Sequence, residues 1–281
     1  MSRRNNLERT GAPQADAPAP LEIEGGSDLF AFVNPTEFVE LPSRGAYYPE
    51  GHPLHNKAVI EIKHMTAKEE DILTSEALLR NGLAVDRLLE SVIIDNRIKV
   101  ADLLLGDKNA ILIATRMTGF GPFYEVNATC PSCDRKSDYT FNLTELQTRE
   151  VTLGDNVADE GNGVFSFDLP VSKVRIYVRL LTTRDEDNIT SLLISKDGTT
   201  ASNPITGLLK AVVVGANEHT DPATVHKFIE MMPIPDVKHL RTTYENLKPD
   251  VDLRFDYTCP LCHEEGKVGM PLTAQFFWPD Q

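Results

Sequence analysis

The chain has 281 residues, 41% of them hydrophobic and 25% charged, with a formal net charge of -14 at pH 7. That length and composition describe a soluble globular protein with one large core or two modest domains. The acidic balance argues against a broad phosphate-binding face, because nonspecific nucleic-acid affinity comes from accumulated Lys and Arg, and it argues equally against an anionic membrane as partner. No apolar run approaches the ~20 residues of a membrane helix. Met1-Ser2-Arg3-Arg4-Asn5-Asn6 carries positive charge with no apolar stretch behind it, so no export signal is expected and thiols should stay reduced.

Residues 1–27, rich in Ala, Pro, Gly and polar side chains, cannot offset their own ordering entropy and read as a flexible or partner-bound N-terminal arm. Residues 28–120 read as a strand-loop-helical domain. Phe38-Val39-Glu40-Leu41 is a strand that gives way to the turn-rich Pro42-Ser43-Arg44-Gly45, and Ala58-Val59-Ile60-Glu61-Ile62-Lys63 is a half-buried strand. His52 and His55, without a second ligand pair nearby, are loop histidines rather than metal ligands.

Thr66 with Glu69 three residues on forms a capping box, predicting a helix that carries Ile72, Leu73, Leu78 and Leu79 inward and stops at Asn81-Gly82. A second helix near 84–94 puts Val85, Leu88, Leu89, Val92 and Ile93 on one stripe, and a third is expected from Asp107 to Met117, before Gly119. These stripes read as core.

Then come the only cysteines in the chain, Cys130-Pro131-Ser132-Cys133 and, 125 residues beyond, Cys259-Pro260-Leu261-Cys262. Each pair follows a strand-like run and precedes polar turn residues and a second apolar run: strand, knuckle, strand, written twice. Four soft thiolates suit the tetrahedral preference of Zn²⁺, so Cys130, Cys133, Cys259 and Cys262 are predicted to close one structural, non-catalytic zinc site. Redox-active pairs or disulfides are the alternative. The haem c pattern Cys259-x-x-Cys262-His263 leaves the first pair unexplained.

A simple zinc ribbon separates its pairs by about 15–20 residues. Here the ribbon is expected over 121–150 plus 250–275, with an α+β subdomain, 151–249, inserted between its two knuckles. The predicted fold is therefore α+β: a helical section and small antiparallel sheets joined by a zinc ribbon. Within the insertion, Val164–Leu169 and Lys173–Leu180 form a hairpin whose Val174, Ile176, Val178 and Leu180 alternate with polar positions. Thr183 with Glu186 reads as another capping box, so the acids Asp185, Glu186 and Asp187 complement a helix dipole rather than build a catalytic site. Asp221-Pro222 starts a helix in which His226 and Glu230 form a surface pair, and a last helix runs from about Pro235 to Leu247. The tail, 276–281, contains Phe276-Phe277-Trp278, aromatics for burial or for an interface.

No phosphate-cradling glycine loop, H-E-x-x-H or G-x-S-x-G is present, and a four-thiolate site has no open position for a catalytic water, so no enzymatic activity is expected. Several stretches resemble the baseplate hub proteins of contractile-tailed bacteriophages related to T4: Leu41-Pro42-Ser43-Arg44-Gly45, Met65 through Ser75, Gly106-Asp107, Thr115 through Gly121, Leu169-Pro170 and Leu181 through Glu186. The resemblance covers roughly residues 38–275. It implies a structural component of the virion tail baseplate, in the hub or an adjoining ring, assembled in the host cytoplasm in several copies among other baseplate and tail proteins. A hub assembly chaperone absent from the mature virion is the alternative in the same class. A zinc-ribbon adaptor for nucleic acid or polymerase is the rival outside it, disfavoured because one tip carries Asp134-Arg135-Lys136 but the other His263-Glu264-Glu265.

Overall fold

A long buried helix with a hairpin pair beyond its C-terminal end organises the computed structural model, which describes residues 34–193, 204–270, 272–273 and 276–277. Thr36–Gln281 constitutes one unit by its internal contacts, and the following concerns its described residues. They form an α+β fold with eight α-helices and five small antiparallel sheets. The predicted arm, 1–27, and Trp278 lie outside the described residues.

β1 (Thr36–Glu40) and β2 (Val59–Lys63) pair in antiparallel register, Val39 opposite Ile60, and bury those two side chains with Ile62. Helices α1 (Ala67–Thr74), α2 (Glu76–Arg80) and α3 (Ala84–Val92) follow. The capping box at Thr66 and Glu69 forms in both directions. The single helix expected from 66 to 81 does not. Ser75 adopts an extended conformation (φ -66°, ψ 108°) that ends α1, and Leu79, expected inward, is 42% exposed on the short α2. In α3 the predicted stripe holds, with Leu88, Leu89 and Val92 fully buried.

The next helix, α4 (Leu105–Phe120), starts two residues before Asp107 and continues through Gly119. Asp107 is thus not its first residue but a buried acid of the first turn. It accepts hydrogen bonds from Ser43 N (3.0 Å), Ser43 Oγ (2.6 Å) and Tyr48 Oη (2.7 Å), which fastens the 41–48 loop across the helix. Burial pushes its carboxyl above the ordinary range, against those hydrogen bonds.

Two hairpin strands, β3 (Phe123–Thr129) and β4 (Lys136–Asn142), lead to the two-residue β5 (Thr148–Arg149). A four-stranded sheet then runs in the order β6 (Ala158–Gly161), β7 (Val164–Asp168), β8 (Arg175–Arg179), β9 (Val213–Ala216). Phe165, Phe167, Ile176 and Val178 form its buried face, as the alternation of β8 predicts. Between β8 and β9 lie α5 (Thr183–Leu193) and α6 (Pro204–Val212).

The capping box expected at Thr183 and Glu186 gives way to a carboxylate contact one residue earlier. Asp185 accepts from Thr182 N and Thr182 Oγ1, both at 2.9 Å, because Arg179 at the end of β8 grips the same carboxylate at 2.6 and 2.8 Å. Glu186 instead pairs with Lys108 of α4 at 3.0 Å.

Helix α7 (Pro222–Met231) has Asp221 as N-cap, accepting from Thr224 N, and α8 (Ile234–Leu247) follows. β10 (Asp250–Val251) pairs with β5, after which β11 (Arg254–Thr258) and β12 (Glu265–Gly269) form the last hairpin. One buried hydrophobic cluster includes residues from α3, α4, the four-stranded sheet and the first hairpin, and partly buried Phe255, Tyr257 and Val268 of the last hairpin pack against it.

Candidate metal centre

Each cysteine pair sits in a tight knuckle at a hairpin tip, and the two knuckles repeat one another bond for bond. Cys130 N donates to Arg135 O (2.9 Å) and Asp134 N to Cys130 O (2.9 Å), closing the turn between Thr129 and its partner Lys136. Cys259 N donates to Glu264 O (2.8 Å) and His263 N to Cys259 O (3.0 Å), closing the turn between Thr258 and Glu265. The residue after the second cysteine is left-handed in both, Asp134 at φ 56° and His263 at φ 59°. Asp and His are among the side chains that tolerate this region, at about 1–2 kcal/mol for a residue bearing a Cβ.

The four sulfurs of Cys130, Cys133, Cys259 and Cys262 lie within 4.8 Å of one another. Two separations that cross between hairpins are Cys130 to Cys262 at 3.7 Å and Cys133 to Cys259 at 3.8 Å. Zn–S bonds of about 2.3 Å in tetrahedral geometry require sulfur–sulfur edges of roughly 3.8 Å. The donor set therefore fits a tetrahedral soft cation, and at these separations the sulfurs are thiols rather than disulfides.

The backbone amides of Cys262 and Leu261 point at the Cys259 sulfur and hold its thiol down at about 6. Cys262 goes the other way: the Glu264 amide lowers it, but desolvation and the neighbouring thiols push it up to about 12. Without a cation the cluster thus resists full ionisation, whereas a bound divalent ion favours the thiolates.

The tips meet because the hairpin bases are fixed from α4. Arg116, 5% exposed, donates to the carbonyls of Gly121 (3.1 Å), Phe123 (3.3 Å) and Phe276 (3.3 Å), which sets the exit from α4 into β3. At the other end of the helix, Gly106 lies against Pro249, and a Cβ there would overlap the Pro249 carbonyl oxygen. Asn109 Nδ2 donates to Asp250 Oδ1 at 2.9 Å, and Asp252 N donates to Gln147 O at 2.8 Å. Higher up, Phe141 stacks on Phe255 with ring centroids 4.5 Å apart, and Tyr139 meets Tyr257 edge-on at 5.3 Å.

The remaining polar candidates are spent locally. His52 stacks on Tyr48 (4.4 Å, 7°), and His55 Nδ1 lies 2.6 Å from Tyr48 O. Asp185 and Glu186 are tied to Arg179 and Lys108. Glu230, expected to pair with His226, pairs with Lys210 at 2.6 Å. Among the described residues, the four cysteines are the one group of three or more His, Cys, Asp or Glu side chains placed to share an ion. Phe276 and Phe277 are buried under the Arg116 end of α4, at 1% and 2% exposure.

Residues 36–278 match the model of one protein family, described as T4 bacteriophage base plate protein. No curated protein and no solved structure matches the chain significantly.

Proposed function

This chain belongs to the T4 bacteriophage base plate protein family and so has a structural role in a phage tail baseplate, and from that premise we propose that it is a protein–protein docking module of the hub or an adjoining ring, stapled by a structural Cys₄ zinc site. The observation that supports the module is the meeting of four sulfurs from distant segments within 4.8 Å of one another, with two cross-hairpin separations at 3.7 and 3.8 Å. In this reading Cys130, Cys133, Cys259 and Cys262 ligate Zn²⁺, the stretches 121–150 and 250–275 form a zinc ribbon, and 151–249 is an α+β subdomain inserted between its knuckles.

When bound, the ion supplies cohesion and no chemistry, since four thiolates leave no open coordination position. Assembly takes place in the host cytoplasm, and the partners are other baseplate and tail proteins, with no nucleic acid or membrane among them. The test is electron microscopy of particles made without this protein: defective baseplates are expected, and normal infectious tails would refute the role. Mass spectrometry of purified virions is expected to find the chain, and its absence from complete particles would assign it to assembly as a chaperone instead.

A further inference from the structure

Two surface features that the metal centre does not use are complementary. The first is an apolar tip. Val171 (55% exposed), Met231 (74%) and Ile234 (77%) lie at the β7–β8 turn, the end of α7 and the start of α8. Asp236, fully buried in the first turn of α8, holds these elements together by accepting from Val171 N (2.8 Å) and Ser172 N (3.0 Å).

Each of the three apolar side chains has an exposed lysine beside it. Lys227 precedes Met231 by one helical turn, Lys238 follows Ile234 by one turn, and Lys173 shares the hairpin turn with Val171. None of the three lysines takes part in an ion pair among the described residues.

The second feature is a hollow of about 530 Å³ lined by Leu79, Val85, Asp86, Lys108, Glu186 and Asp187, with others. Beside it Leu79 and Leu83 are 42% and 43% exposed. Its three carboxylates face one ammonium, that of Lys108, which is bound to Asp86 (3.2 Å) and Glu186 (3.0 Å). The surplus negative charge registers on Asp187, whose carboxyl is raised by partial burial and by Asp86 and Glu186, against the pull of Lys108.

We propose that the lysine-ringed tip of one copy of this chain docks into the acidic apolar hollow of a second copy. The charge signs match, both surfaces combine exposed apolar side chains with charged ones, and the hollow offers space to the projecting side chains. Because tip and hollow are different surfaces, the contact is head-to-tail, and repeated around an axis it generates a ring or an open helix rather than a two-fold dimer. The inference rests on the baseplate reading, where several copies of one chain are held together.

The test uses the zinc-loaded full chain in sedimentation equilibrium up to its highest soluble concentration, at low and high salt. One variant reverses the tip (Lys173→Glu, Lys227→Glu, Lys238→Glu) and another the hollow (Asp187→Lys). The wild type is expected to self-associate more strongly at low salt, and each variant alone to lose about tenfold or more in affinity, since each sets like charges against one another across the contact. Mixing the two variants restores association, because each then offers one native and one exchanged partner surface. A chain that stays monomeric, or associates equally well in both variants, or a mixture no stronger than its components, overturns the contact. None of these results touches zinc content or the fate of particles lacking the protein, so this failure is distinguishable from failure of the baseplate reading.

Discussion

Substituting Cys259→Ser tests whether one ion holds both hairpins. Structural zinc contributes about 10–16 kcal/mol in small finger peptides. What else ties the tips together is the ring pairs Phe141–Phe255 and Tyr139–Tyr257, at 4.5 and 5.3 Å. Such pairs add about 0.5–1.5 kcal/mol each beyond their buried area. In the proposed zinc-bound form the metal therefore dominates the opening free energy of the tips, and losing even about 3 kcal/mol of it raises amide exchange there by about a hundredfold.

The effect should stop at the hairpin bases, where the β5–β10 ladder, the Asn109–Asp250 hydrogen bond and the Arg116 contacts do not depend on sulfur. Hydrogen exchange of the variant is expected to rise in both knuckles, around residues 130–135 and 259–264, with α4 protection unchanged and zinc content reduced. If the second knuckle alone responds, each pair is an independent site and the shared-ion argument is wrong.

Three further outcomes follow from buried contacts. Glu69, fully buried, is held at about 2: burial opposes ionisation, but hydrogen bonds from Ser91, Thr66 and Lys63 outweigh it. A depressed carboxyl stabilises the fold above its unfolded value and loses that contribution as pH falls toward about 2, so Glu69→Gln should flatten the acid limb of thermal stability and cost about 2–3 kcal/mol at neutral pH. Gly106→Ala should destabilise by about 3 kcal/mol, read by denaturant midpoint, since α4 must back away from Pro249; an unchanged midpoint would mean the helix already has slack. Asp236→Ala should cost about 2–3 kcal/mol and speed exchange at Val171 and Ser172, with Asn keeping part of both, because it leaves two amides without their acceptor.

Features of short range were legible in the sequence. The capping box at Thr66, the Asp221-Pro222 start of α7 and the stripe of α3 each depend on residues within a few positions, and the cysteine spacing is its own signal. What escaped was decided at a distance. The helix expected to begin at Asp107 begins at Leu105, and the partners of Asp107, Ser43 and Tyr48, lie 64 and 59 residues away. The box expected at Thr183 gives way to an Asp185 contact with Thr182, and Arg179 of the neighbouring strand grips the same carboxylate.

The apolar run Leu208–Val214 carries no period that divides it, although its first part closes α6 and its last opens β9. Two-residue strands such as β5 and β10 have no pattern at all, and they are what joins the hairpin bases. Leu78 and Leu79 continued the apolar spacing past Ser75, where the backbone turns away.

The knuckles share a backbone but not a charge. At matching positions the first offers exposed Arg135 and Lys136 and the second exposed Glu264 and Glu265, so the end of the hairpin pair is electrically polar although its framework is nearly symmetric. A neighbour that straddles it finds cations under one flank and anions under the other, and reversing the approach sets like against like. Shape alone would accept two orientations; electrostatics leaves one.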